Sequence, residues 1–129
     1  MNERGLADTS VFIARESGRP IDIATLPDRL AISVVTIGEL RAGVLAATDP
    51  VTRDRRLGTL TAALELEPVE IDVAVANTWA RLRVALRDAG LRMPVNDSWI
   101  AATALALDVP IVTQDAGFPS IAGLAVLRV

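Results

Sequence analysis

Four carboxylates lie far apart along this chain in company that could do chemistry: Asp8, Glu39, Asp97 and Asp115. Asp8 is followed by Thr9 and Ser10, Glu39 closes Thr36-Ile37-Gly38-Glu39, Asp97 sits in Asn96-Asp97-Ser98, and Asp115 ends Thr113-Gln114-Asp115. Carboxylates grouped on one partly buried rim repel one another unless some are protonated or a cation holds them, so such a grouping implies a divalent metal. The chain has no Cys, His or Tyr, and all 13 of its basic residues are Arg. That excludes Cys/His zinc sites, thiol catalysis, a Ser-His-Asp triad and a P-loop, which needs its lysine. Acid-base or metal chemistry must use Asp and Glu, supported by hydroxyls and Arg, and a set of hard oxygen donors suits Mg2+ or Mn2+. No zinc or organic cofactor is expected.

Each acid also has a plain structural role open to it. Asp8 can cap a helix beginning at Thr9, Thr36 to Glu39 fits a capping box, Asp97 can complement a helix dipole, and Asp115 can serve a turn. Thr9, Ser10 and Thr113 can be caps and strand-end hydroxyls, or they can orient the acids and hold metal-bound water.

The elements that must position these residues alternate. Gly5 to Asp8 reads as a strand running directly into a helix, and Ile21 to Pro27 as a short helical turn and loop. A strand over Leu30 to Val35 gives way at Thr36 to a helix with Ile37, Leu40 and Val44 on one face. Asp49-Pro50 opens another helix, in which Leu57, Leu60 and Leu64 form a stripe assigned first to the core and second to a subunit interface. Val69 to Asp72 is a short strand before a helix carrying Val75, Trp79, Leu82 and Leu86 inward and ended by Gly90. The stretch Leu91 to Leu107 is a buried helix, apolar almost all round, with Asn96 the better cap and Asp97 left free. Ile111 to Thr113 and Gly123 to Val129 complete the strands, and both Trp79 and Trp99 fall at core-facing positions.

This alternation predicts a three-layer α/β/α domain with a mostly parallel central sheet. In such sheets ligands bind beyond the carboxyl ends of the strands, which is where all four acids are placed. At 129 residues, 51% of them hydrophobic and 3% aromatic, the chain is sized for a single domain over 1–129 with an aliphatic core. No apolar run reaches membrane-spanning length and the N-terminus lacks a signal-peptide core, so a soluble, cytoplasmic protein is expected. The net charge of −3 does not advertise nucleic-acid binding, although a cluster of metal ligands exaggerates the negative charge of the metal-free chain.

Asp8-Thr9-Ser10, Thr36 to Gly43, Asn96 to Ala102 and Ile111 to Phe118 together resemble the successive motifs of PIN domains, and most closely those of VapC-type toxins. The ordered set spans essentially the whole chain. The resemblance implies an Mg2+- or Mn2+-dependent endoribonuclease that hydrolyses transfer or ribosomal RNA with a metal-activated water. It further implies the toxin half of a toxin–antitoxin pair, a homodimer held inactive by a VapB-type antitoxin. By position, Asp8 and Asp97 match the central metal ligands of the family, Glu39 and Asp115 complete its acidic quartet, and Thr113 matches its hydroxyl. Gly117 departs from the pattern, since many relatives carry an acid there. Arg41, nearest in sequence to an acid, is the candidate RNA contact, while Arg53, Arg55, Arg56, Arg81, Arg83 and Arg87 read as solvated helix faces. The competing expectations are a non-catalytic PIN-like binding module, and a phosphoryl-transfer enzyme with Asp8 as nucleophile, for which the second nearby Asp or a Lys is missing.

Overall fold

The computed structural model describes residues 3–129; Met1 and Asn2, counted in the domain expected over 1–129, lie outside the described residues. Five strands, β1 (Arg4–Ala7), β2 (Arg29–Ser33), β3 (Glu67–Val69), β4 (Ile111–Thr113) and β5 (Val126–Arg128), form one sheet in the order β3-β2-β1-β4-β5. Every pairing is parallel. The helices are α1 (Thr9–Ser17), α2 (Val34–Ala46), α3 (Pro50–Ala63), α4 (Val73–Asp88) and α5 (Val95–Leu107), with a 3-10 turn at Ile23–Thr25.

Side chains alternate across a strand, and the core divides accordingly. Ala7 and Ile32 face Phe12 of α1, Leu40 and Val44 of α2, and Leu60 and Ala63 of α3. Their neighbours Leu6, Ala31 and Ile111 face Ile100 and Ala104 of α5. Helix α4 packs outside α5 through Val75, Leu82 and Leu86. The result is the three-layer α/β/α arrangement. A Cβ on Gly5 would lie 2.8 Å from both Pro27 Cγ and Val112 Cγ2, so glycine makes room for the loop before β2 and for the neighbouring strand β4.

Several expected boundaries move, each for a local reason. Strand β2 ends at Ser33, whose hydroxyl accepts from Val35 N at 3.1 Å and caps α2, so Val34 and Val35 are helical despite their β-branching. Thr36 is therefore inside the helix and no capping box forms. Strand β3 includes Pro68, which an edge strand tolerates, and Asp72 instead caps α4 by accepting from Val75 N at 2.9 Å. Helix α5 starts at Val95 behind Pro94 with no side-chain cap, which removes Asn96 from the capping role assigned to it. The last strand is confined to Val126–Arg128. Of the leucine stripe on α3, only Leu60 is core; Leu57 and Leu64 are 42% and 51% exposed. Helix α5 is otherwise as expected, with Ser98 and Ile100 to Ala104 buried.

Candidate metal centre

From β1 the chain moves outward to β2 and β3, then crosses to β4 and β5 on the other side. The sheet therefore changes direction between β1 and β4, the position where open parallel sheets bind ligands. Asp8 follows β1 and Thr113 ends β4, and the two side chains meet: Thr113 Oγ1 donates to Asp8 Oδ2 at 2.6 Å. Asp8 Oδ1 accepts from Ser10 N at 3.0 Å and from Ser10 Oγ at 2.5 Å. Asp8 is thus the cap of α1, as its plain role requires, but it is also 4% exposed and bonded to a second strand. Burial pushes its carboxyl above the usual 3.8, against the lowering effect of the Ser10 and Thr113 bonds.

The hydroxyls link the acids to one another. Thr113 Oγ1 also accepts from Asp115 N at 2.9 Å and lies 3.2 Å from Ser10 Oγ, which in turn accepts from Gln114 N at 2.9 Å. Thr9 Oγ1 donates to Glu39 Oε1 at 2.6 Å, a contact between α1 and α2 that replaces the expected capping box. Asn96 Nδ2 reaches Glu39 Oε2 at 3.4 Å, joining the start of α5 to α2. Asp115 Oδ1 accepts from Gly117 N at 2.8 Å, and a Cβ at Gly117 would stand 3.1 Å from that same oxygen. The missing acid at this corner therefore leaves room for the Asp115 carboxylate to fold onto the turn.

Asp97, in the first turn of α5, carries the clearest electrostatic sign of a common site. Its carboxyl is raised above 3.8 by burial, then by the negative charges of Asp8, Glu39 and Asp115. The ion pairs among the described residues are Arg4 with Glu67, Arg55 with Glu16 at 3.9 Å and Arg87 with Asp88 at 3.4 Å, and none involves these four acids. The centre is an uncompensated set of hard oxygen donors, and a divalent cation fits that chemistry. Among the described residues no three acids are gathered closely enough to hold a metal ion, and Asp8, Glu39 and Asp115 are each engaged by hydroxyl or amide donors.

Arg41 is exposed on α2, two residues beyond Glu39, and residues at that spacing do not share a helix face. Arg56, read from the sequence as a solvated residue, instead donates to Gly43 O at 2.8 Å and lines, with Thr9, Glu16 and Glu39, a hollow of about 280 Å³ beside the acids. The pairing of α2 with α3 that brings Arg56 there leaves no local signal in the sequence. Trp79 and Trp99 are packing residues, as expected, stacked at 4.2 Å and 3°.

A parallel sheet between two layers of helices, with acids placed around its switch point, is the architecture of a PIN domain, and residues 6–124 match the model of that family. The chain belongs to the PIN domain family, in the branch of the VapC proteins. Ribonuclease VapC5 of Mycobacterium tuberculosis is 47% identical over 125 residues, covering 97% of this chain and 93% of the relative. Ribonuclease VapC4 of the same organism is 49% identical, covering 98% and 97%. The crystal structure of VapBC-5 from M. tuberculosis, a member of the VapBC family of toxin–antitoxin systems, is similar with a TM-score of 0.89 at 43% identity, covering 98% of this chain and 99% of that one.

Proposed function

We propose that this chain is an endoribonuclease, the toxin of a VapBC-type toxin–antitoxin pair, which hydrolyses RNA phosphodiester bonds at the Asp8–Asp97 centre and is restrained by a VapB-type antitoxin. The observation that carries the proposal is the placement of Asp8 and Thr113 at the switch point between β1 and β4, with Glu39 and Asp97 in the first half of the flanking helices α2 and α5. The relatives named ribonucleases and the related VapBC structure support the same reading. Asp8 and Asp97 are the central ligands, with Glu39 and Asp115 acting directly or through water, and Mg2+ or Mn2+ is the cation this donor set suits. Bound there, such a cation supplies charge neutralisation at the phosphodiester and acidifies water for hydrolysis.

The chain's own residues do the rest. Ser10 and Thr113 hold the Asp8 carboxylate in one orientation, and Thr9 holds Glu39. Asp97 must be ionised to ligate, so loading the site releases protons and binding weakens in acid. With no His or Lys in the chain, proton transfer falls to carboxylates and water. Arg56, which lines the hollow beside Glu39, is the cation available to a substrate phosphate entering it. We further place the protein in the cytoplasm as one PIN domain and a homodimer; among the described residues no helix is long and apolar enough to cross a membrane, and exposed Leu57 and Leu64 offer an apolar contact.

The test is cleavage of a panel of transfer and ribosomal RNA fragments by antitoxin-free protein. Cleavage is expected only with Mg2+ or Mn2+ and not by the Asp8→Asn variant. Metal-independent cleavage, or undiminished cleavage by that variant, would overturn the assignment. Metal binding without cleavage of any RNA would favour the binding module.

A further inference from the structure

The first turn of α5 has a demanding position. It carries Asp97, which Asp8, Glu39 and Asp115 repel, yet Pro94 at its start supplies no side-chain cap. An uncapped helix end frays readily, and fraying here would let Asp97 turn away from the other acids. A tether enters this turn from the neighbouring helix. Trp79 Nε1 of α4 donates to Ser98 Oγ at 2.9 Å, and Ser98 Oγ donates on to Val95 O at 2.5 Å. Ser98, next to Asp97, is fully buried, and its own N–H donates to Pro94 O at 2.9 Å. The indole cannot swing freely, since it lies flat on Trp99 and the Arg83 guanidinium stands over its ring, 5.5 Å from the centroid.

We propose that Trp79 is a positioning residue of the metal centre: through the Ser98 hydroxyl its indole N–H holds the first turn of α5 in place, so that Asp97 stays aimed at the other three acids before any cation arrives. This rests on the metal-centre reading above. The tether accepts from none of the free N–H groups at this helix end; it ties the first turn to α4 through the Val95 carbonyl. Packing alone does not require it, because a phenyl ring at position 79 would still cover Trp99.

Two measurements on metal-free and Mn2+-loaded full-length protein test the proposal: amide hydrogen exchange at Ser98 by NMR, and the Mn2+ dissociation constant by electron paramagnetic resonance. Trp79→Phe is expected to speed Ser98 exchange and to weaken Mn2+ binding by about 3- to 10-fold each, the range one net hydrogen bond supports. Ser98→Ala removes the same relay through a smaller change, and the double variant should be no weaker than Ser98→Ala alone. Val75→Ala, in the same α4–α5 core, should lower the melting temperature and leave the Mn2+ constant unchanged. Unchanged exchange and Mn2+ affinity in Trp79→Phe with normal binding by wild type would overturn the positioning role alone, as would equal weakening by Val75→Ala. Wild type that binds no Mn2+ would overturn the metal-centre reading and the tether's purpose together.

Discussion

Replacing Thr113 with Val keeps the side-chain shape and removes the one hydroxyl at which two of the four acids meet. Thr113 is fully buried; its Oγ1 donates to Asp8 Oδ2 at 2.6 Å and accepts from Asp115 N at 2.9 Å. A hydrogen bond to a charged group contributes about 1.5–3 kcal/mol, and a stranded polar group costs about 1–3 kcal/mol. The two overlap in one site and are offset by the added apolar contact, so a net loss of roughly 2–4 kcal/mol is expected. For a chain of this size that lowers the melting temperature by roughly 8–20 °C. The pH dependence separates this effect from ordinary destabilisation. The Thr113 bond lowers the carboxyl of Asp8 against burial, so its loss raises that carboxyl further and moves the onset of Mn2+ binding to higher pH. Urea denaturation and Mn2+ titrations across pH, on wild type, Thr113→Val and Thr113→Ser, read both effects, with Ser restoring both. A Thr113→Val protein within about 0.5 kcal/mol of wild type, the usual range for an inconsequential change, would refute the argument, as would an unmoved onset.

Asp8 and Asp97 both have folded-state carboxyls raised above 3.8, so the stability each contributes is complete below that pH and is lost as pH rises through the raised values; melts of metal-free protein should decline across this window. Asp49, lowered chiefly by the Thr52 backbone N–H, works in the opposite sense: its contribution is present above 3.8 and is lost as pH falls through the lowered value. Gly5→Ala should cost about 1–3 kcal/mol in urea denaturation, since its Cβ would sit 2.8 Å from two side-chain carbons; a neutral result would show that β1 is packed less tightly than described. Asn96→Ala should change stability by less than about 0.5 kcal/mol because Asn96 caps nothing, whereas a loss near 1 kcal/mol would restore its capping role.

The layers and the position of the acids were legible in the sequence because they follow from local pattern. The buried body of α5 shows in Ile100 to Ala104, the start of α3 in Asp49-Pro50, and the placement of Asp8 in a strand that runs straight into a helix. What escaped depends on contacts between distant segments or on one signal outweighing another. Val34 and Val35 look like strand, yet the Ser33 hydroxyl turns them into helix. Glu39 fits a capping box until Thr9, 30 residues away, takes its carboxylate. Asn96 looks like a cap until Pro94 shifts the start of α5 forward and turns Asn96 towards Glu39. Trp79 and Trp99 fall at core-facing spacings and pack as those spacings imply, but the indole N–H of Trp79 finds Ser98 only once α4 lies along α5. Leu57 and Leu64 keep helical spacing with Leu60 but remain exposed, because α3 turns only Leu60 and Ala63 into the core.

The central claim, that mutual repulsion among four acids is relieved by a divalent cation, is tested most directly by melting wild type and Asp97→Asn with and without Mn2+. Without metal, Asp97→Asn should melt roughly 2–6 °C above wild type, as removal of a functional but unfavourable charge commonly stabilises a fold. Mn2+ should then raise the melting temperature of wild type and leave that of Asp97→Asn nearly unmoved. An Asp97→Asn protein that is less stable than wild type without metal, or Mn2+ stabilisation that is equal in both proteins or absent from both, would contradict the account.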